Sequence, residues 1–384
     1  MMQNRYTSLE KLEGQYSKQT LLEDIRKEYC SMLENSREVY IWGTGLLGKF
    51  AYEQLKKFDY KVIAFIDNNV SMVGSAIEDV SVISPEEVIT EAVIIICTKF
   101  FTEIENQIAQ NLNNPYLYYR VLPILDERFE EWGIVLSGIY DKLDRYRENY
   151  KQLFRYCSDE TSKEVLDSIL NYRFTMDSKW LKKAYEETYV RGRGIEYFDA
   201  EIITLQEDEV FVDCGGYIGD TVLKFVNFAE GKYRRIYCFE PNKNECKKAE
   251  ENLNHVRDVV LIQAGAGEKS GINKFSGMGD SGHIDDNGED EVYIVMLDEA
   301  VKDAPTFIKM DVEGAELSAL KGASKIIKEN TPKLAICVYH KPEDLFEIFE
   351  LIHSWGINYK YYFRHYTRGI SGTVLYCIPC DRKE

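Results

Sequence analysis

The sequence predicts an α/β protein with two mostly parallel sheets, one in each half of the chain, joined by helices. Short apolar runs alternate with helical stretches from Glu38 onwards, which is typical of a parallel sheet. These strand patterns nearly vanish after about Asp126 and return at Val210. A length of 384 residues also exceeds one ordinary core. We therefore expect an N-terminal helical segment (1–36), a first α/β domain (37–125), a helical connector (126–205) and a second α/β domain (206–384).

Composition and charge narrow the classes of partner. Hydrophobic residues make up 45% of the chain and charged residues 29%, which is typical of globular domains with buried cores. The formal net charge is −18 and the sequence pI is about 4.9, so the chain as a whole repels polyanions. We therefore expect neither nucleic acid nor an anionic membrane surface as a partner.

The sequence also predicts where the protein works. Residues 1–14 lack the apolar centre of a signal peptide, and the longest apolar run, residues 92–97, is far short of the roughly 20 residues that span a bilayer. The nine cysteines show one C-x-x-C, Cys377 and Cys380, with no histidine beside it, and otherwise no paired spacing. This usage indicates small core residues in a reducing compartment. We expect a cytoplasmic protein without a membrane span.

The elements of the first half follow from apolar spacing. Steps of three and four residues predict an early helix through Leu21, Leu22, Ile25, Tyr29, Met32 and Leu33. Apolar runs then predict strands at residues 39–42, 62–66 and 92–97, with a helix reaching Phe58 between the first two. Apolar stripes predict two helices in the connector: Ile139, Leu143, Tyr146, Tyr150 and Phe154, then Val165, Leu166, Ile169 and Leu170. The connector bridges the two domains, or part of it folds over the ligand of the second domain as a lid.

The second half contains more strand patterns. Apolar runs predict strands at residues 210–212, 235–239, 259–264, 292–296, 306–310 and 333–338. Two further runs, residues 359–365 and 373–378, are separated by a short turn that contains Gly369 and Gly372. Because a parallel crossover needs a dozen or more residues, these two strands must be antiparallel. The sequence therefore predicts a mostly parallel sheet that ends in a C-terminal antiparallel hairpin.

The segment at residues 210–221 is an apolar strand that runs into a glycine-rich turn and then a helix. Glycine lets the backbone turn sharply and lets a ligand approach, because it has no Cβ. Asp213, at the end of the strand, would repel a pyrophosphate, whereas the amine and sulfonium of S-adenosylmethionine are cationic and suit a carboxylate. Asp213 therefore argues against NAD in this domain.

A second acidic residue follows at a matching distance. Glu240 ends the next predicted strand, roughly 20 residues after the turn, where a carboxylate can accept both hydroxyls of a ribose. The alternative is that Asp213 and Glu240 are ordinary strand-end residues that face solvent. Both residues in one strand, turn, helix and strand unit favour the ligand interpretation.

These segments resemble the FkbM-type methyltransferases. The similarity lies in residues 210–221, 238–242, 308–316 and Tyr339-His340, and its most specific part is the Lys-x-Asp-Val-Glu-Gly-Ala-Glu block that ends at Glu316. It covers residues 196–379 and includes Tyr197-Phe198-Asp199. The resemblance implies a class I methyltransferase Rossmann-like fold and methyl transfer to hydroxyl groups of sugars or natural products.

The resemblance also implies roles for individual residues. Asp213, Gly215 and Gly219 would hold the methionine portion of S-adenosylmethionine, and Glu240 the ribose. Ala264, Gly265 and Ala266 would lie near the adenine. Other candidates for cofactor binding stand in the same segments: Gly216, Tyr217, Asp220, Thr221, Pro241 and Asp311. Residues 279–282 are expected to form a loop at the mouth of the pocket, or alternatively a surface turn.

Candidate catalytic residues follow the predicted strands at residues 306–310 and 333–338 of the second domain. Asp311 and Glu313 come directly after a strand, at the carboxyl edge that faces the ligand crevice. Asp311 is the first candidate for an acid that faces the substrate. His340 is the candidate base, because the pKa of an unperturbed histidine lies near neutrality. Alternatives are that His340 is structural, or that Asp311, Glu313 and His340 bind a divalent metal ion. Glu316 is expected only to favour the N-terminal end of the next helix.

The first domain contains its own glycine-rich loop. Gly43, Gly45 and Gly48 form a G-x-G-x-x-G between a predicted strand and helix, and Asp67 follows about 20 residues later. In this smaller Rossmann-like domain, residues 62–69, Gly74 and Ser84-Pro85 resemble the nucleotide-sugar-binding domains that precede some sugar-modifying acyltransferases. The resemblance implies a nucleotide or nucleotide-sugar ligand. The alternative is a degenerate domain that serves only docking or dimerisation, which would make the protein a homo-oligomer.

The leading hypothesis is an S-adenosylmethionine-dependent O-methyltransferase that acts on the hydroxyl of a sugar or glycan precursor. One alternative is an adaptor that binds nucleotide sugars and carries a silent methyltransferase fold. A less favoured alternative is an oxidoreductase with NAD at the first glycine loop, because the second domain offers no evident redox role.

Overall fold

The computed structural model describes residues 6–12, 17–34, 37–132, 134, 136, 138–191, 195–276, 283–284 and 290–380. The loop expected at residues 279–282 lies outside them. The chain divides into two compact units: Met1–Arg147 with Asp167–Lys183, and Glu148–Leu166 with Ala184–Glu384. Among the described residues, no helix combines the length and the apolar character that a membrane crossing requires.

The first unit is built on a six-stranded sheet in the order β3-β4-β2-β1-β5-β6. Every pair is parallel except the β3–β4 hairpin. The strands are β1 Glu38–Trp42, β2 Lys61–Ile66, β3 Ala76–Ile77, β4 Val80–Ile83, β5 Val93–Ile96 and β6 Tyr116–Tyr118. The helices are α1 Thr7–Glu10, α2 Lys18–Glu34, α3 Leu46–Lys57, α4 Phe101–Asn111 and α5 Leu122–Leu125. All of β5 is buried, as expected for a parallel strand that is covered on both faces.

The predicted connector forms three helices, α6 Gly138–Tyr156, α7 Glu160–Thr175 and α8 Lys179–Arg191. Each of them contributes residues to both units. Within the first unit, Asp167 of α7 accepts hydrogen bonds from the backbone N–H and the hydroxyl of Ser8. Within the second unit, the hydroxyl of Ser162 on α7 accepts the backbone N–H of Phe363. The boundaries at residues 36, 125 and 205 stay predictions.

The second unit is built on a seven-stranded sheet in the order β16-β17-β15-β14-β7-β8-β9. The strands are β7 Val210–Cys214, β8 Arg235–Phe239, β9 Val259–Ile262, β14 Phe307–Met310, β15 Lys333–Cys337, β16 Tyr359–His365 and β17 Thr373–Pro379. The helices are α9 Asp220–Phe228, α10 Lys243–Leu253, α11 Leu297–Ala300, α12 Glu316–Lys321, α13 Ser324–Asn330 and α14 Asp344–Ser354. Strand β17 is antiparallel to β15 and β16, which confirms the predicted hairpin.

One predicted strand lies in a different sheet from the others. Residues 292–296 were expected among the strands of the main sheet, but β13 Asp290–Val295 joins a separate four-stranded sheet in the order β10-β13-β11-β12. Its partners are β10 Gly265–Ala266, β11 Gly271–Ser276 and β12 His283–Ile284. On β13, Val292 and Ile294 are buried while Tyr293 is exposed, so this sheet has one solvated face. Apolar content alone does not distinguish such a strand from a core strand.

The order of the main sheet determines where a ligand can lie. From β7 the chain proceeds outward through β8 to β9, and then returns to place β14 on the other side of β7. This reversal is a topological switch point, and crevices open at the carboxyl ends of the strands that border it. A cluster of packed aromatic rings, Phe198, Phe211, Phe225 and Phe307, lies beside the sheet. The carboxyl ends of β7, β8 and β14 therefore form the candidate site.

Candidate active site

The glycine-rich turn after β7 requires its glycines for two reasons. Gly215 and Gly219 have φ angles of +83° and +85°, a region that residues with a Cβ rarely adopt. A Cβ at Gly215 would lie 1.8 Å from the carbonyl oxygen of Asp311, and one at Gly216 would lie 2.2 Å from Cys238 Sγ. The turn therefore passes directly against the ends of β14 and β8. Sequence reasoning predicted the turn, and the structure brings it against Asp311.

Beneath the turn lies a buried ion pair. Lys309 Nζ is 2.9 Å from Asp213 Oδ1, and the two side chains are 2% and 0% exposed. The ammonium also donates to the carbonyl oxygens of Gly215 at 2.8 Å and Cys214 at 3.4 Å. Burial raises the pKa of Asp213, and the charge of Lys309 opposes that rise. Burial would lower the pKa of Lys309, but the charges of Asp213 and Asp311 outweigh it and raise that pKa.

Sequence reasoning did not identify Lys309, although a signal was available. A lysine inside an apolar strand must find a partner, because an unpaired buried charge is costly. Strands β14 and β7 pair in parallel with Lys309 opposite Asp213. Asp213 thus supports the turn from below, and its predicted contact with a methionine group stays a prediction.

Glu240 joins the end of β8 to the same turn. Its two carboxylate oxygens accept the backbone N–H groups of Tyr217 and Asn242, each at 2.8 Å. Burial raises the pKa of Glu240 to about 7. Tyr217, which has a φ of +47°, is held in a left-handed conformation next to this contact. The structure therefore brings the two predicted cofactor segments together, although no ligand contact tests their roles.

The remaining cofactor candidates lie along the same edge of the sheet. Pro241 follows Glu240, and a Cβ at Gly265 would lie 3.6 Å from the Pro241 side chain. Ala264 and Ala266 are buried beyond the end of β9. Thr221 is buried in the first turn of α9, whereas Asp220 is partly exposed and pairs with Lys224 at 3.1 Å.

Asp311 is held by two tyrosines that the sequence did not mark as functional. The hydroxyl of Tyr197 donates to Oδ2 at 2.9 Å, and the hydroxyl of Tyr339 donates to Oδ1 at 3.1 Å. Burial favours a raised pKa for Asp311, but the charges of Lys309 and His340 outweigh it and lower the pKa. The carboxylate of Asp311 is therefore ionised and fixed in orientation. Tyr197 itself has a φ of +69°, so the backbone that presents it is strained.

His340 lies between three carboxylates. Its Nε2 is 3.6 Å from Asp311 Oδ1 and 3.4 Å from Glu313 Oε2, and its Nδ1 is 3.0 Å from Glu316 Oε1. Burial would lower the pKa of His340, but these carboxylates outweigh it and raise the pKa well above its ordinary value. The fold therefore moves the pKa of His340 away from the ordinary value that the sequence interpretation assumed, and its role as a base stays a prediction.

Two further acidic residues complete this cluster. Glu316 was expected only to favour a helix end, but it is buried, accepts the backbone N–H of Val312 at 2.9 Å and faces His340. Asp344 accepts the backbone N–H of Lys341, and burial raises its pKa to about 7. Two sets of these groups have the spacing to hold a metal ion: Asp311, Glu313 and His340, and Glu316, His340 and Asp344.

Glu196 is a further acidic group that sequence reasoning missed. It precedes Tyr197, and its pKa is raised to about 7 by burial and by the negative charge of Asp311. No motif marks it, because its neighbourhood is created by the fold.

In the first unit the glycine loop and Asp67 also come together. Gly43 has a φ of +120°, and a Cβ at Gly48 would lie 1.9 Å from the carbonyl oxygen of Gly43, whereas Gly45 is open. Asp67 accepts the backbone N–H and the hydroxyl of Thr44 and the backbone N–H of Asn69. The carboxylate of Asp67 thus orders its own loop, and a nucleotide ligand there stays a prediction.

Family comparisons agree with the motifs of the second half. Residues 213–361 match the family model of the methyltransferase FkbM domain, and residues 35–115 match the model described as C2185-like, N-terminal. The resemblance to FkbM-type methyltransferases is therefore confirmed for the second half. No curated protein matches the chain.

One of the solved structures that resemble this chain shows the same fold along its length. A methyltransferase FkbM from Methylobacillus flagellatus KT is 24% identical and has a TM-score of 0.73, over 97% of this chain and 97% of its own. An rRNA methylase from Streptococcus thermophilus is 17% identical over 46% of this chain and 89% of its own, with a TM-score of 0.29. A precorrin-6y C5,15-methyltransferase from Geobacter metallireducens GS-15 is 14% identical over 46% and 82%, with a TM-score of 0.31. The first of these likenesses confirms the predicted class I methyltransferase fold.

Proposed function

Because residues 213–361 carry a methyltransferase FkbM domain, we propose that the protein is an S-adenosylmethionine-dependent O-methyltransferase that acts on the hydroxyl of a sugar or glycan precursor. One observation carries the proposal. The glycine-rich turn after β7 meets the carboxylate of Glu240 through the N–H of Tyr217, at the switch point of the sheet.

The residues at this edge suit S-adenosylmethionine. Each oxygen of Glu240 accepts one backbone N–H, so each keeps a lone pair for a ribose hydroxyl. Asp213 Oδ2 is a buried carboxylate oxygen without a hydrogen-bond partner in the described part of the chain. When bound, S-adenosylmethionine supplies an electrophilic methyl group.

The acceptor hydroxyl would lie beside Asp311. The Asp311 side chain is 23% exposed, and two tyrosine hydroxyls fix its orientation, so it can position a hydroxyl by accepting its hydrogen bond. The pKa of Asp311 is lowered, which makes this carboxylate a weak base. Glu196, with a pKa raised to about 7, suits the role of base near neutral pH. In this assignment the proton of the hydroxyl would pass to Glu196 while its oxygen bonds to the methyl carbon. The carbon–sulfur bond of the donor would break at the same time, which leaves S-adenosylhomocysteine as a neutral thioether.

Calorimetric titration with S-adenosylmethionine tests the cofactor. We expect micromolar binding to the full chain, and binding at least tenfold weaker for Glu240→Ala. Glu207→Gln is a matched control, because Glu207 is an exposed carboxylate that pairs with Lys232 away from this edge. No binding at millimolar ligand would contradict the proposal. Titration with a nucleotide sugar in the same series tests the glycine loop of the first unit.

Transfer of a labelled methyl group tests the acceptor. The protein is incubated with labelled S-adenosylmethionine and with sugars, nucleotide sugars, amines and carboxylic acids in separate reactions. We expect label on the hydroxyl compounds, in a product that resists alkaline hydrolysis as an ether does. Label only on amines or carboxylic acids would show that the assignment to hydroxyl acceptors is wrong.

A further inference from the structure

The groups around His340 lie close enough together to share one ion. His340 Nε2 is 3.4 Å from Glu313 Oε2 and 3.6 Å from Asp311 Oδ1, and the three atoms lie within 4.8 Å of one another. Ligand atoms that share a divalent cation at about 2.1 Å are separated by roughly 3 Å. Small side-chain movements would therefore bring the three groups onto one cation.

His340 points independently to a ligand. The residue is 6% exposed, and its Nε2 has no hydrogen-bond partner with suitable geometry in the described part of the chain. A buried nitrogen without a partner is costly. Nε2 faces the gap between Asp311 and Glu313, where a cation would occupy its lone pair and neutralise both carboxylates.

Glu316 supports His340 from the opposite side. Its Oε1 lies 3.0 Å from Nδ1 and is held by the backbone N–H of Val312. A carboxylate at this distance favours a proton on Nδ1 and leaves the Nε2 lone pair free. A carboxylate behind a histidine that faces an ion is the usual outer arrangement of protein metal sites.

Access distinguishes the two sets of groups that could bind an ion. Glu316, His340 and Asp344 are all buried, so a hydrated cation cannot reach them from solvent. The side chains of Asp311 and Glu313 are 23% and 33% exposed. The set that contains Asp311 and Glu313 therefore opens to the crevice, where an acceptor would also enter.

The backbone holds this set in place before an ion arrives. Glu313 has a φ of +53°, which is strained for a residue with a Cβ, and Gly314 continues the turn at +88°. Tyr197 and Tyr339 fix the carboxylate of Asp311. Such support reduces the ordering that binding would otherwise require.

We propose that Asp311, Glu313 and His340 bind one divalent cation, with Glu316 as the outer carboxylate that orients His340. Two carboxylates and one imidazole suit Mn²⁺, which accepts both kinds of ligand. Three protein ligands leave positions open for water or for the oxygens of an acceptor diol. The role toward an acceptor rests on the proposed function, whereas the binding of the cation does not.

Paramagnetic resonance tests this site without any methyl donor. The full chain, stripped with EDTA and desalted, is titrated with MnCl₂ while the signal of free Mn²⁺ is recorded. We expect one cation per chain in the micromolar range. Glu313→Gln and His340→Gln should each weaken binding at least thirtyfold, and Glu316→Gln roughly tenfold or more. Glu268→Gln is the matched control and should bind as the parent does, because Glu268 is an exposed carboxylate that pairs with Lys321.

The outcomes separate this proposal from the proposed function. The absence of Mn²⁺ binding at about 1 mM total metal would overturn the metal site, because a specific site binds more tightly than that. Mn²⁺ binding that is unchanged in Glu313→Gln would overturn it as well. Glu313 is partly exposed, so this variant tests the site even where His340→Gln fails to fold. Mn²⁺ binding without any binding of S-adenosylmethionine would support the metal site and contradict the methyltransferase proposal.

Discussion

Lys309 Nζ lies 2.9 Å from Asp213 Oδ1 across the pairing of β14 with β7, and both side chains are almost wholly buried. This pair supports the glycine-rich turn, because the same ammonium donates to the carbonyl oxygen of Gly215. The candidate cofactor site is therefore built on a charge pair that also stabilises the fold.

Replacing one partner of this pair should lower the free energy of unfolding far more than replacing both partners. We expect Lys309→Met to lower the free energy of unfolding by roughly 3 kcal/mol or more, because it leaves a buried carboxylate uncompensated. Adding Asp213→Asn should recover at least half of the loss. Chemical denaturation of the parent, Lys309→Met and the double variant measures the three free energies of unfolding. Lys232→Met, which breaks an exposed pair with Glu207, should leave the stability unchanged. Additive losses in the double variant would contradict the coupling.

Gly215→Ala should disrupt the turn more than a left-handed backbone alone explains. The new Cβ would lie 1.8 Å from the carbonyl oxygen of Asp311 at a φ of +83°. Gly231→Ala is the control, since Gly231 has a φ of +70° and open space around it. We expect a loss of about 1 kcal/mol for Gly231→Ala and about 3 kcal/mol or more for Gly215→Ala. Equal losses in thermal or denaturant unfolding would show that the close approach is unimportant.

Tyr197→Phe should affect catalysis more than binding, given the proposed function. The change removes a 2.9 Å hydrogen bond to the ionised carboxylate of Asp311 and keeps the ring. We expect kcat to fall roughly tenfold, the equivalent of one hydrogen bond to a charged group. The KM for S-adenosylmethionine should not change. Tyr237→Phe removes a similar hydrogen bond to Asp303 and should leave both constants unchanged. A changed KM with constant kcat would contradict a positioning role.

The rate of methyl transfer should depend on Glu196. Burial raises the pKa of Glu196 to about 7, so its carboxylate accepts a proton above that pH and is itself protonated below it. We expect kcat to fall roughly tenfold per pH unit below about 7, and Glu196→Gln to lower kcat about a hundredfold and flatten the profile. Glu201→Gln, at an exposed position, is the control. An unchanged pH dependence of kcat in Glu196→Gln would show that another group accepts the proton.

Acid should destabilise the second unit through His365. Burial lowers the pKa of His365 to about 4, so the unfolded chain binds the proton more readily than the folded chain does. The contribution of neutral His365 to the free energy of unfolding is complete above about pH 6.5. It is lost progressively as the pH falls from about 6.5 to about 4, and the loss is about 2 kcal/mol at pH 5. Unfolding of the parent and His365→Gln at pH 7.5 and pH 5 measures it. The pH-dependent loss should be smaller in the variant by that amount, and equal losses would contradict the assignment.

Local patterns predicted most strands of the seven-stranded sheet, but they predicted little of what surrounds the candidate site at its edge. Asp213, Glu240 and Asp311 stand at strand ends, one to three residues before a glycine or proline, so their places along the chain were visible in the sequence. Tyr197 and Glu196 precede the first strand of the sheet by more than ten residues, and no local pattern gave either of them a role. Their proximity to Asp311 depends on a contact 114 residues apart in the chain. No local periodicity encodes such a contact.

The pKa of His340 likewise depends on neighbours that only the fold supplies. The sequence placed His340 after a strand, where a base was expected at an ordinary pKa. The structure surrounds it with Asp311, Glu313 and Glu316 and removes it from water, and these charges raise its pKa. Glu316 was visible as a helix-start residue, but only the fold brings the start of α12 within 3.0 Å of Nδ1, beyond the end of β15.

The sequence by itself determined the α/β class, most of the strands in the two large sheets, the C-terminal hairpin and the glycine turns. Apolar periodicity and backbone permissiveness are local properties, so they can be read along the chain. Only the tertiary structure decided that β13 belongs to the separate four-stranded sheet and that Lys309 neutralises Asp213. It also decided that four acidic groups converge on His340. Those outcomes depend on strand order and burial, because distance in space and loss of water set the energy of a charge.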